Sequence, residues 1–268
     1  MDIKIYALAS GSKGNAFYLS DGTTNILIDC GLPVKELQKR ASACGVDLLA
    51  LSGILSTHCH SDHCCGISSL CEWCGAPVYL DEGGVEALQK LCSLNRALMH
   101  PFRRGEDFSV GTVAVHPLSL SHDVPVCTGY VLSIGDKKVV YVADLGFVDD
   151  HALRAVNGAY ALILESNHDI DMLMRGTYPR FLKERIRSPQ GHLSNDQAAE
   201  LALYAVQNGT RNLMLAHLSE ENNLPELAFH TVERRLLAEG YIEGRDYSMV
   251  TAGQGAPTRL PLDFFLNK

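Results

Sequence analysis

Three imidazoles and a carboxylate fall within six residues of this chain, in Thr57-His58-Cys59-His60-Ser61-Asp62-His63. Neutral imidazole nitrogens and ionised carboxylate oxygens are the usual ligands of zinc, iron and manganese. The stretch follows an apolar run, Leu51 to Leu55, so it starts where a buried strand ends. From an extended strand end His58 and His60 point the same way, while Asp62 and His63, past a turn, face a second ion. A polar surface loop is the plainer explanation, yet His and Asp are seldom crowded beside a buried strand without partners. The stretch is read as half of a two-metal site.

Two divalent ions about 3.5–4 Å apart lower the pKa of a shared water, whose hydroxide is the nucleophile, and clamp both oxygens of an in-line displacement. Asp62 is placed to steer the hydroxide's proton. An alkoxide leaving a phosphodiester also needs a proton, which a histidine oriented by a carboxylate can supply.

Further titratable groups stand at the ends of apolar runs. Val113 to Leu120 stops at Ser121-His122-Asp123, and Lys138 to Ala143 at Asp144-Leu145-Gly146. Leu162 to Leu164 stops at Glu165-Ser166-Asn167-His168-Asp169, and Leu213 to Ala216 at His217. Open α/β sheets assemble their sites at the carboxyl ends of strands. One such histidine is more often a core residue satisfied by a neighbour. Four such groups in succession, with the His58 cluster, make coincidence a poor explanation.

The elements that must position these groups alternate between short strands and helices. Strands are expected over Ile3 to Leu8, Phe17 to Leu19, Asn25 to Ile28, Val78 to Leu80, Tyr160 to Leu164 and Asn212 to Ala216. Helices are expected over Pro33 to Ala43, Gly66 to Cys74, Gly84 to Leu91, Ser194 to Val206 and Leu224 to Ala238. Asp107 to Leu120 and Gly129 to Ala143 carry β patterning, and the basic stretch after Asp169 reads as irregular. Ser10-Gly11-Ser12-Lys13-Gly14-Asn15 is a tight polar loop without the spacing of a Walker loop or a dinucleotide fingerprint. This interleaving suggests an α/β sandwich with helices outside. The length suits one domain over residues 1–268.

Composition narrows the partners. The chain has 268 residues, 46% of them hydrophobic and 20% charged, and a net charge of −8, which argues against a generally basic nucleic-acid-binding surface. No apolar run approaches the ~20 residues of a membrane span. Met1-Asp2-Ile3-Lys4 enters a strand-like alternation directly, so a cytoplasmic protein is expected. The nine cysteines, five of them between Cys59 and Cys74, are then mostly reduced thiols. Cys71 and Cys74 have CxxC spacing but lie on a helix with no second pair, so small buried side chains are the better reading.

The order HxHxDH, a lone His, an Asp after a strand and a late His resembles the metallo-β-lactamase superfamily. The likeness runs from Leu27-Ile28-Asp29-Cys30-Gly31 to His217. It implies an αβ/βα sandwich of two similar halves. It also implies two divalent ions, zinc or manganese with iron as another candidate. His58, His60 and His122 would hold one, Asp62, His63 and His217 the other, with Asp144 bridging. The second half, Gly191-His192-Leu193-Ser194-Asn195 and Leu215-Ala216-His217-Leu218-Ser219, is similar to ribonuclease Z, which implies a Glu165–His192 dyad serving the leaving group. Together with the Ser10 to Asn15 loop and Glu165 to Asp169, it resembles the YycJ/WalJ-type exonuclease branch. That implies DNA as substrate and cleavage from a 5′ end.

A local basic run bears on the same question. Arg175, Arg180, Lys183, Arg185 and Arg187 face one acid, Glu184, between Arg175 and Arg187. Such a run is usually a solvated face, but this one lies between Glu165 and His192 and should border the site. Lys13 and Arg103-Arg104 could extend the track, with Ser194 and Asn195 at the helix entry as further substrate contacts. A thioester or lactone hydrolase of the glyoxalase II kind is the alternative enzyme; it would not need the dyad or the basic run. A non-catalytic binding or scaffold module is the alternative of another class.

Overall fold

The computed structural model describes residues 3–92 and 94–262; Met1 and Asp2 of the expected opening alternation lie outside them. The first sheet contains β1 (Lys4–Ala9), β2 (Ala16–Ser20), β3 (Asn25–Ile28), β4 (Gly53–Leu55), β5 (Val78–Asp81) and β6 (Met99–Phe102). The second contains β7 (Phe108–Val110), β8 (Val113–Ser119), β9 (Thr128–Ile134), β10 (Lys137–Val142), β11 (Ala161–Glu165), β12 (Asn212–Ala216) and β13 (Ser248–Thr251). β14 (Thr258–Arg259) returns to the first sheet beside β1. From β14 to β6, three antiparallel pairs are followed by three parallel ones. The same order of pairings runs from β7 to β13. β3 therefore corresponds to β10, β4 to β11 and β5 to β12.

The strand sequences follow from this layering. β11 and β12 are central, parallel and buried along their whole length, so both read as unbroken apolar runs. β8 lies near an edge and starts with Val113 and Val115 buried but Ala114 and His116 exposed. Inward side chains of both sheets share one core, where Phe17 meets Tyr141 edge-on at 5.1 Å.

Helices cover the outer faces: α1 (Val34–Ala43), α2 (Ser61–Cys64), α3 (Ile67–Cys74), α4 (Val85–Leu91), α5 (Asp150–Val156), α6 (Ile170–Arg175), α7 (Arg180–Ile186), α8 (Asn195–Gln207) and α9 (Pro225–Ala238). Ala198, Ala202 and Ala205 of α8 pack with Val232 of α9 and with Leu162, Leu164, Leu213 and Leu215 of the sheet. Small side chains let α8 approach the sheet closely. Ser194 and Gln197 close its N-terminus with a reciprocal capping box.

The basic stretch expected to be irregular forms α6 and α7. These helices have six and seven residues and bury only Leu173 between them, so no apolar period announces them. Their start signals are local: Asp169 accepts a hydrogen bond from Met172 N (2.8 Å), and Pro179 opens α7. Asp62 and His63 likewise lie on the helical turn α2 rather than beyond a turn. The two-residue β14 and the Pro101-containing β6 carry too little pattern to be expected. All nine cysteines are unpaired. No helix among the described residues is long and apolar enough to cross a membrane.

Candidate metal centre

Among the described residues only Asp29, Asp144 and His217 have positive φ without being glycine, at 61°, 60° and 56°. A left-handed backbone costs a side-chain-bearing residue about 1–2 kcal/mol, and such strain collects at functional sites. The three follow β3, β10 and β12, and the unusual turn lifts each side chain off its strand end. The backbone around them is pinned. His217 N donates to Ser10 Oγ at 2.8 Å. Asn15 N donates to Asp62 O and Cys30 N to His63 O, both at 2.8 Å. A Cβ on Gly31 would lie 1.6 Å from the Asp62 carbonyl oxygen, so only glycine lets β3 approach the His58–His63 segment this closely.

Each of four imidazoles has one nitrogen tied down and the other aimed inward. His63 Nδ1 donates to Asp29 Oδ2 at 2.7 Å, and His217 Nδ1 to Glu165 Oε1 at 2.8 Å. His122 Nδ1 donates to Gly191 O at 3.2 Å. Thr57 Oγ1 donates to Asp29 Oδ2 at 2.8 Å, so at 3.0 Å it accepts from His58 Nδ1. Nε2 of His58, His122 and His217, with Asp144 Oδ2, is left buried and without a hydrogen-bond partner. Orphaned buried polar atoms of this kind are costly unless something binds them. Ligand atoms of His58, His60 and His122 lie within 4.8 Å of one another, as do those of Asp62, His63 and His217, and those of His58, His63 and Asp144. Inward nitrogens, outer hydrogen bonds that set the tautomer and interleaved carboxylates are what a divalent cation requires, so the residues fit metal ions.

The two ligand groups differ in charge. Burial pushes His58 well below the ordinary imidazole range, His122 down to about 4, and His60 in the same direction, which favours the neutral, donating form at all three. For His63 burial also favours the neutral form, but the carboxylates of Asp144 and Asp29 outweigh it and push the group up to about 10. His217 is raised in the same way by Asp144, Asp62 and Glu165. Burial opposes ionisation of Asp62, but His217 and His63 hold it far below the usual carboxylate range.

Glu165, wholly buried, holds more than the expected dyad. Its Oε1 accepts from His192 Nδ1 and from His217 Nδ1, both at 2.8 Å. Its Oε2 accepts from Leu193 N at 3.0 Å and Leu145 N at 3.2 Å. Burial works against its charge, but His192 and His217 keep it ionised well below the usual range. One oxygen thus orients a histidine of the metal cluster and the histidine at the pocket wall.

A cavity of about 210 Å³ opens over the cluster, lined by His60, Asp62, His122, Asp144, His192, His217, Tyr178 and Arg185 among others. Of the basic residues expected to face substrate, only Arg185 reaches it. Arg185 pairs with Asp123, whose Oδ1 lies 3.2 Å from His122 Nε2 and 3.5 Å from His60 Nε2. Lys13 is held by Glu220, Arg175 by Asp171 at 3.7 Å, and Arg180 by Glu184 at 2.6 Å. Lys183 donates to the carbonyls of Met174 and Gly176, each at 2.8 Å, and Arg187 to Met174 Sδ at 3.5 Å. Arg103 and Arg104 pair with Glu82 and Asp81, outside this cavity.

Ser194 and Asn195, expected as substrate contacts, do not line this cavity. Both are buried; Ser194 caps α8, and the Asn195 amide is shared between Ser166 Oγ (2.7 Å) and Asn223 (2.9 Å). Their hydrogen bonds hold the start of α8 in place. Sequence reasoning also missed Asn15, whose Nδ2 is 3.0 Å from His63 Nε2, and the supporting role of Asp29. The Asp-x-Gly pattern shared by Asp29 and Asp144 was the available signal.

Comparison with known proteins agrees with this geometry. The profile of the beta-lactamase superfamily domain matches residues 24–218. Exodeoxyribonuclease WalJ of Streptococcus pneumoniae is 33% identical over 260 residues, covering 96% of this chain and 97% of that protein. Exodeoxyribonuclease YycJ of Bacillus anthracis is 32% identical over 261 residues, covering 97% and 99%. The crystal structure of the metallo-β-lactamase fold protein YhfI from Bacillus subtilis shares the fold, with a TM-score of 0.73 at 20% identity and 96% and 100% of the two chains covered. The matched span holds every inward-facing imidazole and carboxylate of the cluster, and the chain belongs to the metallo-β-lactamase-fold superfamily.

Proposed function

We propose that the chain is a divalent-metal-dependent phosphodiesterase that releases nucleotides from a 5′ end of DNA. The observation that carries the reading is His192, held by Glu165 at 2.8 Å on the wall of the cavity that collects the cluster. A thioester's thiolate leaves without such a donor, whereas a phosphodiester's alkoxide needs a proton. The exodeoxyribonuclease relatives, similar over nearly the whole chain, support DNA as substrate.

His58, His60 and His122 would hold one ion and Asp62, His63 and His217 the second, with Asp144 between them. Bound zinc or manganese, with iron a further candidate, would supply a water of lowered pKa and positive charge against the phosphate oxygens. Around that chemistry the chain's own groups divide the work. Asp62, held as the carboxylate, hydrogen-bonds that water and steers its proton. Arg185 offers a fixed positive charge at the mouth of the cavity. His192 gives its proton to the leaving oxygen, and Glu165 keeps the imidazole oriented and offsets its charge. Both halves of the chain contribute, which supports one domain over residues 1–268. The nine unpaired thiols suit the reducing cytoplasm.

The test is digestion of single- and double-stranded DNA and RNA, labelled at either end, with manganese or zinc and with chelator as control. Early release of the 5′ label from DNA as short products, abolished by chelation, is expected. Hydrolysis of a thioester such as S-lactoylglutathione with no cleavage of any strand would overturn the reading.

A further inference from the structure

α6 and α7 form an arm between β11 and α8 that differs in charge from the rest of the molecule. Residues 170–187 hold five basic side chains against Asp171 and Glu184, an excess of three positive charges in a chain of −8. One side of the arm looks into the metal cavity through Tyr178, Leu182, Arg185 and Ile186. Beside it stands Phe181, 71% exposed, the most exposed large apolar side chain among the described residues. A free phenyl face on an arm of net positive charge is poorly suited to an apolar protein partner. It suits a base, which brings a π-face and an attached anion. Phe181 and Arg185 lie one helical turn apart on the same side of α7. Arg185 already holds one anion, the Asp123 carboxylate, between the arm and the imidazoles of His60 and His122. Ring, guanidinium and metal cluster therefore follow one another along a single path.

Bases in a duplex cover their faces by stacking and show only edges and backbone. A duplex end can offer one terminal face, but only unpaired bases can lie in succession against two separate rings. We infer that the α6–α7 arm reads a single-stranded end: Phe181 at the rim and Tyr178 inside stack successive bases, and Arg185 holds the phosphate between them. The inference rests on the phosphodiesterase reading for the identity of the polymer, and it names the substrate form.

Binding separates the two ideas. Metal-loaded protein is titrated by fluorescence anisotropy into a labelled phosphorothioate strand, which resists cleavage, and into the blunt duplex of the same sequence. The single strand should bind at least about tenfold tighter, since one stacked base contributes about this much. Phe181→Ala should weaken strand binding by about 5- to 100-fold, and Phe181→Trp should restore it. Thermal unfolding of the variants should match the parent, because the ring is not in the core. Unchanged strand binding by Phe181→Ala, or equal losses for strand and duplex, would overturn the inference. So would a parent dimer in light scattering that Phe181→Ala dissociates, since a second copy would then cover the ring. If the strand binds through Phe181 but its unmodified form is never cleaved, the phosphodiesterase reading fails and the arm stands. If the parent cleaves DNA and Phe181→Ala binds the strand normally, the reverse holds.

Discussion

Asp29 at the end of β3 and Asp144 at the end of β10 occupy corresponding places in the two sheets, with φ of 61° and 60° and a glycine two residues on. The glycines serve the same end: a Cβ on Gly31 would strike Asp62 O at 1.6 Å, and one on Gly146 would strike Pro189 O at 2.2 Å. The carboxylates then part company. Both oxygens of Asp29 are occupied, Oδ1 by Thr57 N and Oδ2 by Thr57 Oγ1 and His63 Nδ1, within 2.7–2.8 Å. Asp144 keeps Oδ2 free of hydrogen bonds, 3.2 Å from His63 Nε2. In the first half the strand-end aspartate orients an inward-facing imidazole and its neighbour Thr57. In the second it stands among the imidazoles, and Glu165 at the end of the neighbouring strand takes over the orienting. One backbone device thus serves two chemical ends, depending on what the adjacent strand brings to it.

Substitutions can break this division of labour. Asp144→Asn should be the most severe, because it removes the charge shared by both ligand groups. Cleavage should fall by on the order of 10³-fold or more, read as kcat/KM on labelled DNA. Glu165→Gln should come close, on the order of 10³-fold, since it loosens His217 and His192 together. Added metal should restore only part of that loss. His192→Ala keeps the ligands and should lose about 10²–10⁴-fold in kcat with metal content unchanged. Asp29→Asn touches only orientation, so metal affinity should fall about 10–100-fold and excess metal should recover most activity. If Asp29→Asn behaved like Asp144→Asn, the two carboxylates would not differ as described.

A pH titration sharpens the contrast at smaller scale. His63 is raised to about 10 and His217 is raised well above the ordinary range, so in the metal-free protein both carry protons at pH 7. A metal ion must displace those protons, and affinity at that group should rise with pH between 6 and 8, by up to about tenfold per unit for each proton released. His58 and His122 are lowered well below that window and His60 is lowered too, so their group should show the smaller slope. Calorimetry in buffers of different ionisation enthalpy would count the protons.

Much of this centre was legible in the sequence because its parts sit at strand ends, where an apolar run breaks off at a titratable residue. His58, His122, Asp144 and His217 carry that signature, and so does Glu165, while His60, Asp62 and His63 follow His58 within five residues. The supporting contacts were not legible. Nothing local to Asp29 says that its oxygens meet Thr57 and His63, which are 28 and 34 residues away. Nothing near Asn15 points to His63. α6 and α7 escaped because they bury almost nothing, so hydrophobic period, the main signal for a helix, was missing. The basic residues looked like one track because sequence shows charge and not partners; four of the five are held along the arm itself.

Metal counting tests the central claim, that ligands from both halves form one two-ion centre around Asp144. Metal-free protein would be loaded with manganese or zinc, desalted and analysed for metal per chain. The parent should bind two ions and Asp144→Asn fewer than one, with the fold intact by circular dichroism. A parent that saturates at one ion, or an Asp144→Asn variant that still holds two, would contradict it.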